Sequence, residues 1–145
     1  MLEITEHASV EDYGALCSAL KGLRSRGVKL AVDDAGAGYA SLRHILALQP
    51  DIIKLDISLT RNIQDDLARH SLAAALVHFG RDIKSQILAE GVETAAELEA
   101  LRKLGVRTAQ GYFLGRPMPY LEARKLVQQL NGADGGDPEP VTRSA

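Results

Sequence analysis

Along the chain, short runs of β-branched and aliphatic residues alternate with longer segments whose apolar positions recur at helical spacing. This is the rhythm of βα units feeding a parallel sheet. The apolar runs predict five strands, at residues 2–5, 28–32, 51–55, 86–89 and 108–112. The intervening patterns predict helices over 10–25, 41–48, 67–79, 95–104 and 120–130. Boundary residues agree: Gly27 follows the first helix, Pro50 closes the second and Gly105 ends the fourth. Thr94 and Glu97 have the spacing of a capping box at the fourth helix. Strands this short and apolar are suited to burial on both faces.

Five parallel βα units admit two architectures, an open doubly wound sheet or an arc of an eight-unit barrel. A complete barrel needs about 250 residues and the chain has 145, so length by itself favours the open sheet. Residues 1–130 form one folded domain in this reading. Residues 131–145 are Gly, Pro, Asp, Glu, Thr and Ser with almost nothing apolar, the composition of a disordered tail. Charge narrows the partners: 17 basic against 19 acidic side chains, with no basic run, argue against a DNA or RNA polymer. Cys17 shares an apolar helical stripe with Tyr13, Leu16, Leu20 and Leu23, which makes it a core thiol rather than a nucleophile. No leader pattern is present and no apolar run approaches the ~20 residues that span a bilayer, so a soluble, cytoplasmic protein is expected.

In both parallel architectures ligands collect at the carboxyl edge of the sheet, and there every strand supplies polar residues. Glu3 and Glu6 lie in and after the first strand. Asp33 and Asp34 close the second and lead into a Gly-rich turn. Lys54 and Asp56 belong to the third, Glu90 and Glu93 to the fourth, and Gln110 to the fifth. Neighbouring strands lie about 4.8 Å apart, so carboxylates leaving them on one side converge, and without a cation they repel. Hard divalent ions take oxygen ligands, and an ion pair is a recurring device for phosphoester hydrolysis. A two-metal site is the functional reading.

Each residue also has an ordinary role open to it. Glu3 alone would be a surface residue, and an Asp pair before glycines is common in turns. A lysine amid Ile52, Ile53 and Leu55 needs a partner, either Asp56 or a neighbouring carboxylate. Glu93 could serve the helix cap, Gln110 a turn, and Arg116 a surface loop. The four histidines lack metal-site spacing; His44, His70 and His78 fall in helices and His7 in a loop.

Taken in order, LEITE, DDAGAGYASL, PDIIKLD, ILAEGVET and QGYFLGRPMP resemble the EAL domain, the bacterial cyclic di-GMP phosphodiesterase family built on a modified (β/α)8 barrel. The likeness runs from about residue 2 to 130 and overturns the length argument. It implies an α/β fold made of about five C-terminal βα units of a TIM-like barrel. It further implies hydrolysis of cyclic di-GMP to pGpG with Mg2+ or Mn2+. By resemblance, Glu3, Asp33, Asp34 and Glu90 are metal ligands, and Gln110 holds a metal-bound water. Lys54 positions or deprotonates the attacking water. Glu6 anchors the loop starting at Asp33, and Asp56, Glu93 and Arg116 support neighbouring loops.

Two departures from the family pattern shape the expectation. The E-x-L-x-R segment and the following asparagine, which bring further ligands and a substrate-binding arginine, would precede residue 1. The site is then incomplete, activity alone is weak or nil, and open barrel edges invite a homo-oligomer. The D-D-F-G-T-G-Y-S-S loop reads Asp33-Asp34-Ala35-Gly36-Ala37-Gly38-Tyr39-Ala40-Ser41, losing an aromatic and two hydroxyls. A non-catalytic module that binds the nucleotide or a protein partner is the alternative. A phosphoacceptor receiver domain also has five βα units, paired acids and a lysine. Its acid pair ends the first strand and its lysine the fifth, unlike the order here.

Overall fold

The computed structural model describes residues 1–5, 8, 10–36 and 39–133. It contains β1 (Leu2–Ile4), α1 (Tyr13–Arg24), β2 (Leu30–Ala35), α2 (Tyr39–Leu48), β3 (Ile52–Leu55) and α3 (Ile57–Thr60). These are followed by α4 (Leu67–Asp82), β4 (Gln86–Ala89), α5 (Ala95–Lys103), β5 (Thr108–Ala109) and α6 (Tyr120–Ala133). Contacts divide the chain into two compact units, Met1–Gly115 and Arg116–Ala145. The first holds the whole sheet; the described part of the second is the approach to α6 and the helix itself. No helix among the described residues is long and apolar enough to cross a membrane.

The strands are all parallel and lie in the order β1-β2-β3-β4-β5. A doubly wound sheet reverses its order at a switch point, and a receiver-like sheet runs 2-1-3-4-5; strictly sequential order is instead the order of a barrel arc. The partial barrel of the sequence reading therefore holds.

The main core lies beneath β2 to β5. Val32, Ala35, Ile53 and Leu55 meet Leu59, Ile63, Ala73, Leu76, Val77 and Leu101 from the helices. A second, smaller cluster joins Ile4, Leu20, Leu30 and Leu48, with Cys17 half-buried at its margin as a packed thiol. His44 is also a core residue, 2 % exposed, with Nδ1 2.9 Å from the Tyr13 hydroxyl.

Helices start where side chains satisfy their first amides. Asp12 caps α1, Asp66 caps α4, and Thr94 with Glu97 forms the expected capping box of α5. Some elements differ from expectation. Strand β2 begins two residues later and runs three further, through both aspartates. Strand β5 ends at Ala109 rather than at 112, because Gly111 turns the chain so closely that a Cβ there would lie 2.1 Å from the Val92 carbonyl oxygen. Helix α6 continues to Ala133, into the stretch whose composition reads as tail, and residues 134–145 lie outside the described ones. Helix α3 was not anticipated: one turn is too short to show periodicity.

Candidate metal and phosphoester site

The carboxyl ends of β1 to β4 deliver their acids to one place, and the local cause differs at each strand. In β2, Val32 pairs with Ile53 and Ala35 with Leu55, so Asp33 and Asp34 both stand opposite Lys54. That is a β-bulge, and Asp34 absorbs the extra residue at φ 55°, a left-handed conformation that aspartate tolerates. The bulge is what lets two consecutive side chains serve one side of the sheet. The Asp34 amide then donates to Asp33 Oδ1 at 3.0 Å, fixing the first carboxylate.

Lys54 stands in the middle. Its side chain is 8 % exposed, and its Nζ lies 2.9 Å from Asp33 Oδ1, 3.0 Å from Glu90 Oε1 and 3.5 Å from Glu3 Oε2. Burial alone would depress the ammonium, but hydrogen bonds to Asp33 and Glu90, together with their charges, hold its pKa above the ordinary lysine value. Burial pushes the Glu90 carboxyl up; the Lys54 charge opposes this, and the neighbouring Asp33 adds to it. Gln110 donates from Nε2 to the same Glu90 Oε1 at 2.6 Å. One carboxylate oxygen of each of Asp33, Asp34 and Glu90 lies within 4.8 Å of the others. This half-buried, all-oxygen set fits a hard divalent cation. Glu3 falls outside that trio and approaches the site through Lys54.

The supporting residues divide. Asp56 serves α3, accepting from the Ser58 amide at 2.8 Å, while Lys54 pairs with the strand-end acids. Glu93 forms a two-pronged ion pair with Arg61, whose Nη2 donates to Oε1 at 2.7 Å. Arg116 is an exposed residue opening the second unit. Glu6 lies outside the described residues, as do Ala37 and Gly38 of the Gly-rich loop.

Sequence reasoning missed Leu59 and Thr60, which brace these acids, and saw in Glu97 only its part in the helix cap. Thr60, fully buried, donates its hydroxyl to the Glu90 carbonyl, and Leu59 lies against Gly36. Glu97, 1 % exposed, accepts from the amides of Asn62, Glu93 and Thr94 at 3.0, 2.8 and 3.0 Å. Burial would raise its pKa, but these backbone donors hold it below the usual carboxylate range. The available signal was Asp56 two residues before Ser58, an N-cap spacing.

The EAL domain family model matches residues 1–117. The chain is 38 % identical over 119 residues to MucR of Pseudomonas aeruginosa, a bifunctional diguanylate cyclase/cyclic di-GMP phosphodiesterase, covering 82 % of this chain and 17 % of that protein. A solved structure of the PaMucR phosphodiesterase with c-di-GMP superimposes with a TM-score of 0.73 at 37 % identity, over 84 % of this chain and 49 % of that one. Klebsiella pneumoniae BlrP1, solved with manganese and cyclic di-GMP, gives a TM-score of 0.72 at 38 % identity, over 79 % and 29 % of the two chains. The chain thus spans about half of the solved PaMucR phosphodiesterase and a smaller part of the full-length relative.

Proposed function

The chain belongs to the EAL domain family, and from that premise we propose that it carries part of the active site of a cytoplasmic cyclic di-GMP phosphodiesterase. The reaction is hydrolysis of one phosphodiester bond to give linear pGpG. The observation that carries this reading is the convergence of Asp33, Asp34 and Glu90 beside a buried lysine on one strand edge. The ion we propose is Mg2+ or Mn2+, held by those three carboxylates with Glu3 nearby. Those carboxylates would hold the ion, which when bound would neutralise phosphate charge and lower the pKa of a water.

The protein's own groups take distinct parts. Lys54, hydrogen-bonded to Asp33 and Glu90, stands where it can donate to a water or a phosphate oxygen. Glu90 is held in place by Lys54 and Gln110, which orients its carboxylate toward Asp33 and Asp34. Gln110 restrains Glu90, and its amide oxygen can accept from a water.

Among the described residues one three-carboxylate cluster is assembled, enough for one ion. Two-ion catalysis needs further ligands. The chain by itself is therefore expected to turn over slowly or not at all. Among the described residues β1 and β5 are the outer strands of the sheet, and a second copy could assemble on either edge, a homo-oligomer that size-exclusion chromatography would reveal.

The second reading is a non-catalytic module that binds the nucleotide or a protein. It is favoured by the Lys54 ammonium, which partly satisfies the acids without an ion. Incubation with Mn2+ and cyclic di-GMP, with Glu90→Gln as control, separates the two. Slow pGpG formation lost in the control supports the phosphodiesterase reading. Nucleotide binding by calorimetry without any pGpG supports the module, and absence of both metal and nucleotide binding rejects both nucleotide roles.

A further inference from the structure

The two ligand-bearing turns are joined at their acids by Lys54, and they share a second support in α3. Two residues after Asp34 comes Gly36 at φ 106°, and a Cβ on that glycine would lie 2.1 Å from Leu59 Cδ1. Glu90 is followed by Gly91 at φ 66°, where a Cβ would lie 2.4 Å from Ile57 Cγ1. The same single turn of helix thus lies on the α-carbons of both glycines, at contact distances that only a missing side chain permits. Polar contacts reinforce the packing. The Thr60 hydroxyl binds the Glu90 carbonyl, the Asp56 amide donates to the Ala35 carbonyl at 3.2 Å, and the Glu90 amide donates to the Leu55 carbonyl at 3.1 Å. Leu59 and Thr60 are 5 % and 0 % exposed, so neither adjusts freely.

We propose that Leu59 and Thr60 are positioning residues: α3 acts as a gauge block between the turns 33–36 and 90–93 and sets the spacing of Asp33 and Asp34 against Glu90. The claim rests on the metal-site reading above. Through that spacing, α3 fixes the affinity for the divalent ion without touching it. Leu59 acts on the aspartate side and Thr60 on the glutamate side, so disturbing either side loosens one set of ligands relative to the other.

The experiment uses the full 145-residue chain, with Mn2+ alone as probe and bound ion read by electron paramagnetic resonance. The variants are Leu59→Ala, Thr60→Val and Thr60→Ser, with Leu20→Ala, in the separate smaller core, as a control for general destabilisation. Thr60→Val and Leu59→Ala are expected to weaken Mn2+ binding roughly 5- to 20-fold, consistent with the 10- to 100-fold cost of losing groups that orient metal ligands. Thr60→Ser is expected to restore it and Leu20→Ala to leave it unchanged. Equal affinity in Thr60→Val and the unaltered chain, or equal weakening in Leu20→Ala, overturns the proposal.

Amide hydrogen exchange without metal supplies the second readout. Leu59→Ala should speed exchange at both Asp56 and Glu90 relative to Leu20→Ala, and equal rates at either amide overturn the gauge role. If the unaltered chain fails to bind Mn2+, the metal-site reading falls, while the exchange result still decides whether α3 couples the two turns.

Discussion

The two edges of one sheet carry opposite electrostatics. At the carboxyl edge three carboxylates, Glu3, Asp33 and Glu90, surround one buried ammonium, and Asp34 lies beside two of them. At the amino edge charge is exposed and either matched or basic. Arg24 and Asp51 pair there at 3.6 Å, each more than a third exposed. A cavity of about 630 Å3 beside β4 is rimmed by Arg81, Lys84 and Arg107. The same strands therefore end in an underneutralised, half-buried acid cluster on one side and in solvated charge on the other. Burying like charges is costly unless something cationic is recruited, so the carboxyl edge has the character of a site and the amino edge that of a surface.

That contrast breaks most sharply at Lys54. Lys54→Ala should cost ~3 kcal/mol of stability, because it strands several acids around an empty centre, and added Mn2+ should recover part of the loss. Chemical denaturation with and without the ion measures both. An equal substitution cost at exposed Arg24 would erase the distinction between the edges.

The next effect is steric. Gly91→Ala places a Cβ against Ile57 at a left-handed backbone position, and a loss of about 2–3 kcal/mol is expected. Thermal unfolding reads it, and the paired variant Gly91→Ala/Ile57→Ala should recover part of the loss.

Glu97 sharpens the comparison through pH. Its folded pKa lies below its unfolded one, so its contribution is fully present above the ordinary carboxylate value and is lost as pH falls through the folded value. Glu97→Gln should cost about 1–2 kcal/mol near pH 7. The gap to the unaltered chain should narrow as pH falls below the ordinary carboxylate value and close once the folded value is passed. Urea melts across that range test the sign. The smallest effect belongs to the amino edge. Arg24→Ala should change stability by no more than ~0.5 kcal/mol, with little response to salt.

Much of this was legible in the sequence because a parallel sheet sends the ends of its strands to one edge whatever its architecture. Asp33, Glu90 and Lys54 follow from that rule once the strands are located. The capping pair Thr94 and Glu97 was legible because its members lie three residues apart. The bond between Arg61 and Glu93 was not, because it joins residues 32 apart. Helix α3 escaped because Ile57 to Thr60 is a single turn, too short for apolar positions to repeat. The left-handed Asp34 escaped because a bulge changes pairing without changing composition. Strand β5 was read too long because Tyr112 has strand character, whereas the close approach at Gly111 is a tertiary fact.

The bulge in β2 also has an implication for inheritance. Val32 and Ala35 both face the main core, although strict alternation would put residues three apart on opposite faces. The extra aspartate therefore occupies a codon that the core does not read. Removing Asp34 by an in-frame deletion would let Asp33 alone face Lys54, while Val32 stays with Ile53 and Ala35 with Leu55. A lineage could shed this proposed ligand in one step and keep a foldable sheet, an easier path to a descendant without the acid cluster than any change that must be repacked.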